Sequence, residues 1–246
     1  SGKVFLKELY QDTSHSVIFT NVRGLRNNRP GIYRVKIMKV TARWRAKNHI
    51  QNIQSKYLKE DERNEALTGA MRIIRMMFTR RGHFLMEFIQ NAEDAGATRF
   101  KAVLRGKMLE IYNNGRQFTR EDVKSICSVG QSSKDPSIYI GYLGVGFKAV
   151  FLVSNRVCIY SPPYTFAFDK EYWIKKGWDI GKIPWQITPI WLSEINKHVS
   201  KLLSEGWTTI FQIELEDEEA INAIRREFEN LNPRIILFLH NIKEIE

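Results

Sequence analysis

The sequence predicts an α/β fold, because segments with helical periodicity alternate along the chain with segments of strand-like alternation. Leu67, Met71, Ile74 and Phe78 recur at intervals of three or four and predict a helix over 61–78. The segments TRFKAVLR and MLEIYNN, joined by a short Gly-Lys turn, predict a strand hairpin. With 246 residues, of which 43% are hydrophobic and 26% charged, the chain has enough apolar material for one large domain.

The amino-terminal half contains further elements. Residues 1–59 indicate an extended arm with some strand-like alternation, as in YRVKIMKVTARW. A second helix starts near Gly82 and ends at Gly96, a residue suited to the left-handed position just past a helix end. Thr119, with Asp122 three residues later, opens a short helix. Residues 129–143, rich in Gly, Ser, Lys and Asp, indicate a mobile loop.

The carboxyl-terminal half continues the alternation. GVGFKAVFLVS predicts a helix, and strands follow near 156–160 and 164–168. A tryptophan-rich stretch, whose rings are expected mainly to pack in the core, leads to a helix over 193–205 that ends before Gly206. WTTIFQIEL predicts a strand, and a helix begins near Asp217. We therefore expect a basic arm over 1–60 and a domain over 61–246.

Composition excludes several classes of protein. The longest apolar runs fall well short of the roughly 18 residues of a membrane-spanning helix, and no secretory leader is apparent at the amino terminus. The two cysteines, Cys127 and Cys158, are too few for a disulfide framework and lack metal-ligand spacing, so they are predicted to be core residues. The five histidines form no HExxH motif. We expect a cytoplasmic protein without a membrane partner.

The positive charge of the chain is concentrated in one segment. Residues 13–59 contain eleven lysines and arginines and no acidic residue, whereas the remainder balances 27 basic against 27 acidic residues. The whole net charge of +11 therefore lies in this segment. It is explained either by a solvated basic face or by a surface that neutralises the phosphates of nucleic acid or anionic lipid.

Three polar residues share one face of the second helix. Glu87, Asn91 and Asp94 are spaced four and three apart, which places them one turn above another. An asparagine carbonyl is a suitable hard ligand for magnesium held by a triphosphate, and a carboxylate one turn away can activate a water. A solvated helix face would also explain this stripe, although the bulky apolar neighbours argue against full exposure.

A glycine-rich loop, GYLGVG, precedes the segment FKAVF. Its three glycines allow the backbone to approach phosphates closely, and the following helix presents its amino end to negative charge. The loop is not of the Walker type, because Gly146 is followed by Phe147 and Lys148 instead of Lys and Ser or Thr. It is not a dinucleotide fingerprint either, because a polar loop precedes it where a strand is required. Lys148 either faces the phosphates or is solvated.

Four motifs in order carry a family resemblance: EFIQNAEDA, IYNNGRQF, GYLGVGFKAVFLVS and GWTTIFQIEL. Together they resemble the GHKL superfamily of ATPases, closest to the ninety-kilodalton heat-shock chaperone and the sacsin-like amino-terminal ATPase domains. The resemblance covers roughly Ile73 to Glu246. It implies the Bergerat fold, a two-layer α/β sandwich whose mixed, mainly antiparallel sheet is covered on one face by helices.

The resemblance also implies roles for particular residues. Glu87 would activate the attacking water, Asn91 would bind Mg²⁺ and Asp94 would organise the nucleotide site. Asn113 stands where most members have an aspartate that accepts a hydrogen bond from adenine, and its carbonyl can still accept that bond. The remaining nucleotide-binding residues are expected to be Gly115 and Thr208 near the base, Ser132, Ser133 and Lys134 in a lid, and Gly141, Gly144, Val145, Gly146 and Phe147 around the phosphates.

Two departures from the family pattern concern the base end of this site. Gln117 replaces the second glycine of the base motif, and Trp207 stands where a glycine usually precedes the threonine. ATP or ADP with Mg²⁺ is the expected ligand, and a slow hydrolase whose lid closure drives a chaperone-like or remodelling cycle is the expected function. A protein client and an ATP-dependent dimer are the implied partners. An ATP-gated nucleic-acid-binding module that uses residues 13–59 is the alternative, and a nucleotide-binding pseudoenzyme also remains open.

Overall fold

The computed structural model describes residues 17–18, 38–39, 41–59, 62–77, 85–129 and 146–246. The chain divides into two compact units, 1–45 and 46–246. In the first unit, strands β1 (Val17–Ile18) and β2 (Met38–Lys39) form an antiparallel pair. The second unit contains the remaining sheet and almost all of the helical residues described below.

A seven-stranded sheet is the centre of the second unit. Its spatial order is β7-β6-β5-β8-β4-β3-β9, and every pairing is antiparallel except that of β3 with β9. The sheet is therefore mixed and mainly antiparallel, as predicted. The strands are β3 (Arg99–Arg105), β4 (Met108–Asn113), β5 (Ser154–Ser161), β6 (Tyr164–Asp169), β7 (Ile190–Trp191), β8 (Thr209–Leu215) and β9 (Glu244–Ile245).

Helices contribute most of their buried residues to one side of this sheet. They are α1 (Ala42–Tyr57), α2 (Glu62–Met77), α3 (Leu85–Asp94), α4 (Arg120–Ile126), α5 (Lys170–Lys175), α6 (Lys197–Ser204) and α7 (Glu218–Asn230). Three 3₁₀ helices span Gly146–Leu152, Trp185–Ile187 and Pro233–Phe238. None of the helices in the described part of the chain is long and apolar enough to cross a membrane.

Local signals in the sequence set several of these boundaries. Thr119 caps α4 and forms the predicted capping box with Asp122, which supplies a side-chain partner for main-chain N–H groups at the helix start. Gly96 and Gly206 follow α3 and α6 with φ of 69° and 92°, a region that favours glycine. Asp217 caps α7 as its position predicted.

The two faces of the sheet belong to two separate hydrophobic clusters. On β4, Leu109 and Ile111 lie in the main core, whereas Tyr112 lies in the second cluster, as the alternation of a strand requires. The main core, which we call the helix-side core, also contains buried residues of α1, α3, α4, α5 and α7. The second cluster receives Val199 and Leu202 of α6. The predicted α/β sandwich is confirmed, with α6 as an addition on the other face.

Helix α1 lies where the pattern predicted extended chain. Its buried residues Ala46, His49, Ile50 and Ile53 recur at intervals of three and four, and the three apolar ones belong to the helix-side core. The alternation in YRVKIMKVTARW ends at Trp44, the third residue of α1, so it gives no information on the remainder of the helix. The compact unit consequently begins at Ala46, whereas the predicted domain begins at residue 61.

Candidate functional site

Helix α3 presents the predicted polar stripe opposite a buried face. Leu85, Phe88, Ile89 and Ala92 are buried, which leaves the predicted Glu87, Asn91 and Asp94 on the remaining surface. Asn91 is exposed, while Glu87 and Asp94 are partly buried. The three residues thus lie on one face, but each makes interactions of its own, so the stripe is not simply a solvated surface.

A side chain of α7 forms a hydrogen bond with the first residue of α3. Glu227 Oε1 accepts a hydrogen bond of 2.9 Å from the main-chain N–H of Leu85, the first residue of α3. A carboxylate at a helix amino end satisfies an otherwise unpaired N–H and interacts favourably with the helix dipole. Because Glu87 follows two residues later, this bond helps to set the position of its carboxylate.

Glu87 meets the last glycine of the glycine-rich loop. A Cβ added to Gly146 would overlap the carboxylate and Cγ of Glu87, so the glycine lies directly against this side chain. The two residues are 59 positions apart in the sequence. They were predicted separately, Glu87 as the general base that activates water and Gly146 as a phosphate-binding glycine. The structure brings these two predicted residues together.

Aromatic packing holds this contact in place. Phe88 and Phe147, the residues that follow Glu87 and Gly146, pack with ring centroids 5.8 Å apart. Both rings also contact Phe211 of β8, at 4.8 Å and 6.2 Å. The ring of Phe147 therefore packs in the core. A contact of Phe147 with the nucleotide, as predicted, would have to involve its main chain.

The residues predicted to contact the nucleobase lie near the end of β4. Asn113 is buried, and its Oδ1 accepts a hydrogen bond of 3.0 Å from the main-chain N–H of Gly115. Gly115 passes so close to the turn after α3 that an added Cβ would lie 2.9 Å from both Cβ and O of Ala95. Thr208 donates its main-chain N–H to the carbonyl of Asn113 at 3.0 Å, and its hydroxyl also contacts the Gly115 carbonyl. Asn113, Gly115 and Thr208 thus form one cluster, as the motifs predicted.

Two hydroxyl residues that the sequence reasoning missed complete this cluster. Thr209 pairs with Asn113 across the strands, and its Oγ1 lies 2.7 Å from Oγ of Ser161. Ser161 Oγ also accepts the main-chain N–H of Phe118 at 2.8 Å. The signal for Thr209 was the alternation of TIFQIEL, which puts Thr209 on the same face as Phe211 and so on the helix side of the sheet.

Lys148 is not solvated. Its side chain is buried, its Nζ donates a hydrogen bond to the carbonyl of Ile126 at the end of α4, and the rings of Phe147 and Phe168 lie within 6 Å of it. Burial lowers the pKa of Lys148 to about 8 and raises the pKa of the neighbouring Cys127 thiol to about 12. Lys148 is thus a buried amine at the carboxyl end of a helix, where a positive charge is favourable.

Several predicted site residues lie outside the described residues. They are the lid residues Ser132, Ser133 and Lys134 and the loop residues Gly141, Gly144 and Val145. About half of the basic segment 13–59 also lies there, since the structure describes residues 17–18, 38–39 and 41–59 of it. Their roles stay predictions.

The described residues are better suited to a metal ion that is already bound to a nucleotide than to a metal ion held by protein side chains alone. Within the described ranges, no group of three or more His, Cys, Asp or Glu side chains could hold a metal ion. Magnesium bound to a triphosphate needs only one or two protein oxygens, because phosphates and waters complete its octahedral shell. The exposed Asn91, one helical turn from Glu87, can provide such an oxygen.

The opposite face of the sheet has a pocket between β3 and α6. Arg99, Lys101 and Arg105 alternate along its β3 wall. Each of these cations has a carboxylate partner: Glu244, Glu246 and Glu110, respectively. Because the charges are balanced within the face, this pocket gives no specific support to a polyanion-binding function.

The sequence of the chain is similar to short regions of two large proteins. The chain is 31% identical over 182 residues to protein NO VEIN of Arabidopsis thaliana, a match that covers 68% of the chain and 6% of that protein. It is 34% identical over 133 residues to human sacsin, with 45% of the chain and 3% of sacsin covered. The chain shares a region with both. No family model matches the chain.

Proposed function

We propose that the second unit binds a magnesium nucleoside triphosphate and hydrolyses it slowly to the diphosphate and phosphate, with ATP as the substrate implied by the GHKL resemblance. The contact between Glu87 and Gly146 carries this proposal. If the glycine-rich loop wraps the phosphates, the terminal phosphate lies beside the carboxylate that can activate the water attacking it. Such a module would drive a chaperone-like or remodelling cycle.

Glu87 is suited to the role of general base. Its position against Gly146 leaves no space for a side chain at residue 146, so the carboxylate can lie next to the loop backbone. A water between Glu87 and the terminal phosphorus would lose its proton to the carboxylate as its oxygen attacks, and the P–O bond to the diphosphate would break. The reaction needs no covalent intermediate on the protein.

Asn91 is the residue proposed to bind magnesium. Its side-chain carbonyl is a hard oxygen donor on the exposed face of α3, one turn from Glu87. Magnesium, when bound, would neutralise charge on the transferring phosphoryl group. Separation of the metal ligand from the general base keeps the Glu87 carboxylate out of the coordination shell of the magnesium.

The sequence matches support this proposal because they cover a large part of the chain. The match to NO VEIN covers 68% of the chain, and sacsin-like domains are one of the two groups that the motifs resemble. Each match covers only a few per cent of the relative's length, so the activity of the whole protein is not inferred from them. Membership of the GHKL superfamily is part of the proposal.

Calorimetry and a phosphate-release assay test the proposal together. The full chain should bind ATP in a magnesium-dependent manner, with a Kd in the micromolar to millimolar range, on the order of −8 to −4 kcal/mol. Glu87→Ala should keep binding and reduce turnover by about a hundredfold or more, the usual contribution of a general base. Glu229→Ala, which removes an exposed carboxylate of α7, is the matched control and should leave both unchanged.

The two readouts separate two ways in which the proposal can fail. Absence of magnesium-dependent nucleotide binding would refute the proposed function altogether. Binding with turnover that is the same before and after Glu87→Ala would identify a nucleotide-binding pseudoenzyme and remove Glu87 from its catalytic role.

A further inference from the structure

The orientation of the Asn113 side chain bears on which base the proposed site accepts. Asn113 is the last residue of β4 and is 6% exposed. Its Oδ1 accepts the main-chain N–H of Gly115 at 3.0 Å, which closes a tight turn within the base cluster. This bond decides which end of the amide faces away from the turn.

A flipped amide would be unfavourable here. Rotation of the Asn113 amide by 180° would place Nδ2 against the N–H of Gly115, so that two hydrogen-bond donors would meet in a buried site. The hydrogen-bond network therefore assigns Oδ1 to the turn and Nδ2 to the opposite direction. An aspartate in the same position would present its second carboxylate oxygen where Asn113 presents Nδ2.

The amide nitrogen of Asn113 belongs to a buried side chain but is not fully sealed from solvent. Nδ2 has no hydrogen-bond acceptor among the residues that the structure describes, yet it is not one of the unpaired polar atoms sealed from solvent. Asn113 shares the helix-side face with Ile111 of its own strand, and its cross-strand partner Thr209 shares that face with Phe211. This is the face of the sheet on which Phe88 packs, the neighbour of Glu87.

We infer that Asn113 presents a hydrogen-bond donor to the base, so that the site prefers a purine nucleotide with a 6-oxo group over one with a 6-amino group. This inference rests on the proposed function, in which Asn113 meets the six-position of a purine. A 6-oxo oxygen accepts a hydrogen bond from Nδ2, whereas the amino group of adenine would set donor against donor. The carbonyl expected from the sequence to accept from adenine is engaged by Gly115 instead.

The neighbouring hydroxyls do not oppose this preference. Thr209 and Ser161 lie 2.7 Å apart, and either one can be the donor in their bond. Because a hydroxyl rotates to suit its partner, this pair accommodates either purine. The discrimination is therefore assigned to Asn113, whose donor and acceptor ends are fixed.

A comparison of inosine triphosphate with ATP tests the inference in the full chain. Calorimetry with magnesium should show tighter binding of inosine triphosphate, by about tenfold, because the donor-to-donor contact with adenine leaves a buried polar group mispaired. Asn113→Asp should shift the ratio of the two Kd values towards ATP by about tenfold or more. Asn114→Asp is the control, because it makes the same charge change one residue away. An aspartate at position 114 would still accept hydrogen bonds from the main-chain N–H groups of Thr98 and Arg99. This control should leave the ratio unchanged.

A third nucleotide makes the test independent of any variant. Purine riboside triphosphate carries hydrogen at position six and keeps the ring nitrogens of adenine, so it removes only the mismatched amino group. It should bind the unaltered chain more tightly than ATP does. Binding of ATP as tight as or tighter than that of both other nucleotides would overturn the inference and leave the proposed function standing. If none of the three nucleotides binds, the proposed function itself fails.

Discussion

Lys148 shows how a single residue can deviate from the solvated role that its motif allows. A lysine after a glycine-rich loop is easily interpreted as a phosphate ligand or as a solvated residue, but here its Nζ is buried and bonded to the carbonyl of Ile126. The apolar run FKAVFLV around it was the available signal, because every residue from Phe147 to Leu152 is buried. Burial disfavours the charged amine and lowers its pKa to about 8, well below the 10.5 of an exposed lysine.

Replacement of Lys148 by methionine should therefore stabilise the protein in a pH-dependent way. Below pH 8 the amine is charged in both states and burial costs about 3 kcal/mol of stability at most, partly offset by its hydrogen bond. Between pH 8 and 10.5 the folded state has lost the proton and the unfolded state has not, so this cost disappears. Urea unfolding should show Lys148→Met more stable than the parent at pH 7, with the difference shrinking towards pH 10.

Other groups that titrate in this pH range contribute equally to the parent and to Lys148→Met, so their contributions cancel in the stability difference. Cys127, for example, has its pKa raised to about 12 by burial, so its thiol stays protonated in the folded state from pH 7 to 10. Lys124→Met, an exposed substitution on α4, should give a stability difference that does not vary with pH. A difference for Lys148→Met that is constant from pH 7 to 10 would show that the amine is not buried as described.

At the scale of elements, Glu93 joins α3 to the segment that leads into β9. Its carboxylate accepts the main-chain N–H groups of His240, Asn241 and Ile242 at 2.7, 2.8 and 2.9 Å. Burial alone would raise the pKa of Glu93, but the three N–H donors outweigh it and the pKa is lowered. Because β9 pairs with β3, this side chain connects the helix of the candidate site with the edge of the sheet.

Substitution of Glu93 by glutamine should weaken that connection. Glutamine keeps one acceptor oxygen and replaces the other with an NH2 donor, so it cannot accept from all three N–H groups. The free energy of unfolding at pH 7 should fall by about 1 kcal/mol, a value that allows for solvent screening at this partly exposed site. The folded-state pKa lies below the unfolded value of about 4.5, so this stability is lost as the pH falls below that value and Glu93 protonates. Chemical denaturation should show a larger difference at pH 7 than at pH 3, and Glu229→Gln on α7 should show none at either pH.

Most elements could be predicted because their signals are local. Thr119 with Asp122, the glycines after α3 and α6, and the alternation of β3 and β4 each act within a few residues. Helix α1 and strand β9 could not be read in the same way. The buried face of α1 is defined by its contacts with the core, and β9 contains only two residues, so no period can emerge from it.

At the scale of the whole molecule, the candidate site depends on contacts that no local pattern contains. Glu87 meets Gly146 across 59 residues, and Asn113 meets Thr209 across 96. The family resemblance predicted that their motifs belong to one site, but not that Thr209 and Ser161 form a hydroxyl pair or that Gly115 fixes the amide of Asn113. Hydrogen-bond direction follows from the fold and is absent from the sequence pattern.

The extent of the folded unit gives a prediction at the same scale. A chain of residues 41–246 keeps α1 and the hydrogen bond between Trp44 N–H and the Thr41 hydroxyl at its start. A chain of residues 61–246, which follows the boundary expected from sequence, lacks the three apolar residues that α1 contributes to the helix-side core. It also loses the bond from the Tyr57 hydroxyl to the carbonyl of Cys127.

The shorter chain should therefore be much less stable than the longer one. Exposure of core surface that α1 covers should cost on the order of 3–6 kcal/mol, which corresponds to a decrease in Tm of roughly 10–20 °C for a domain of this size. Thermal unfolding followed by circular dichroism should give a cooperative transition for 41–246 and a lower or broadened one for 61–246. Equal melting temperatures would mean that α1 is dispensable and that the folded unit begins at the boundary expected from sequence, because the helix-side core would then not require the residues that α1 adds.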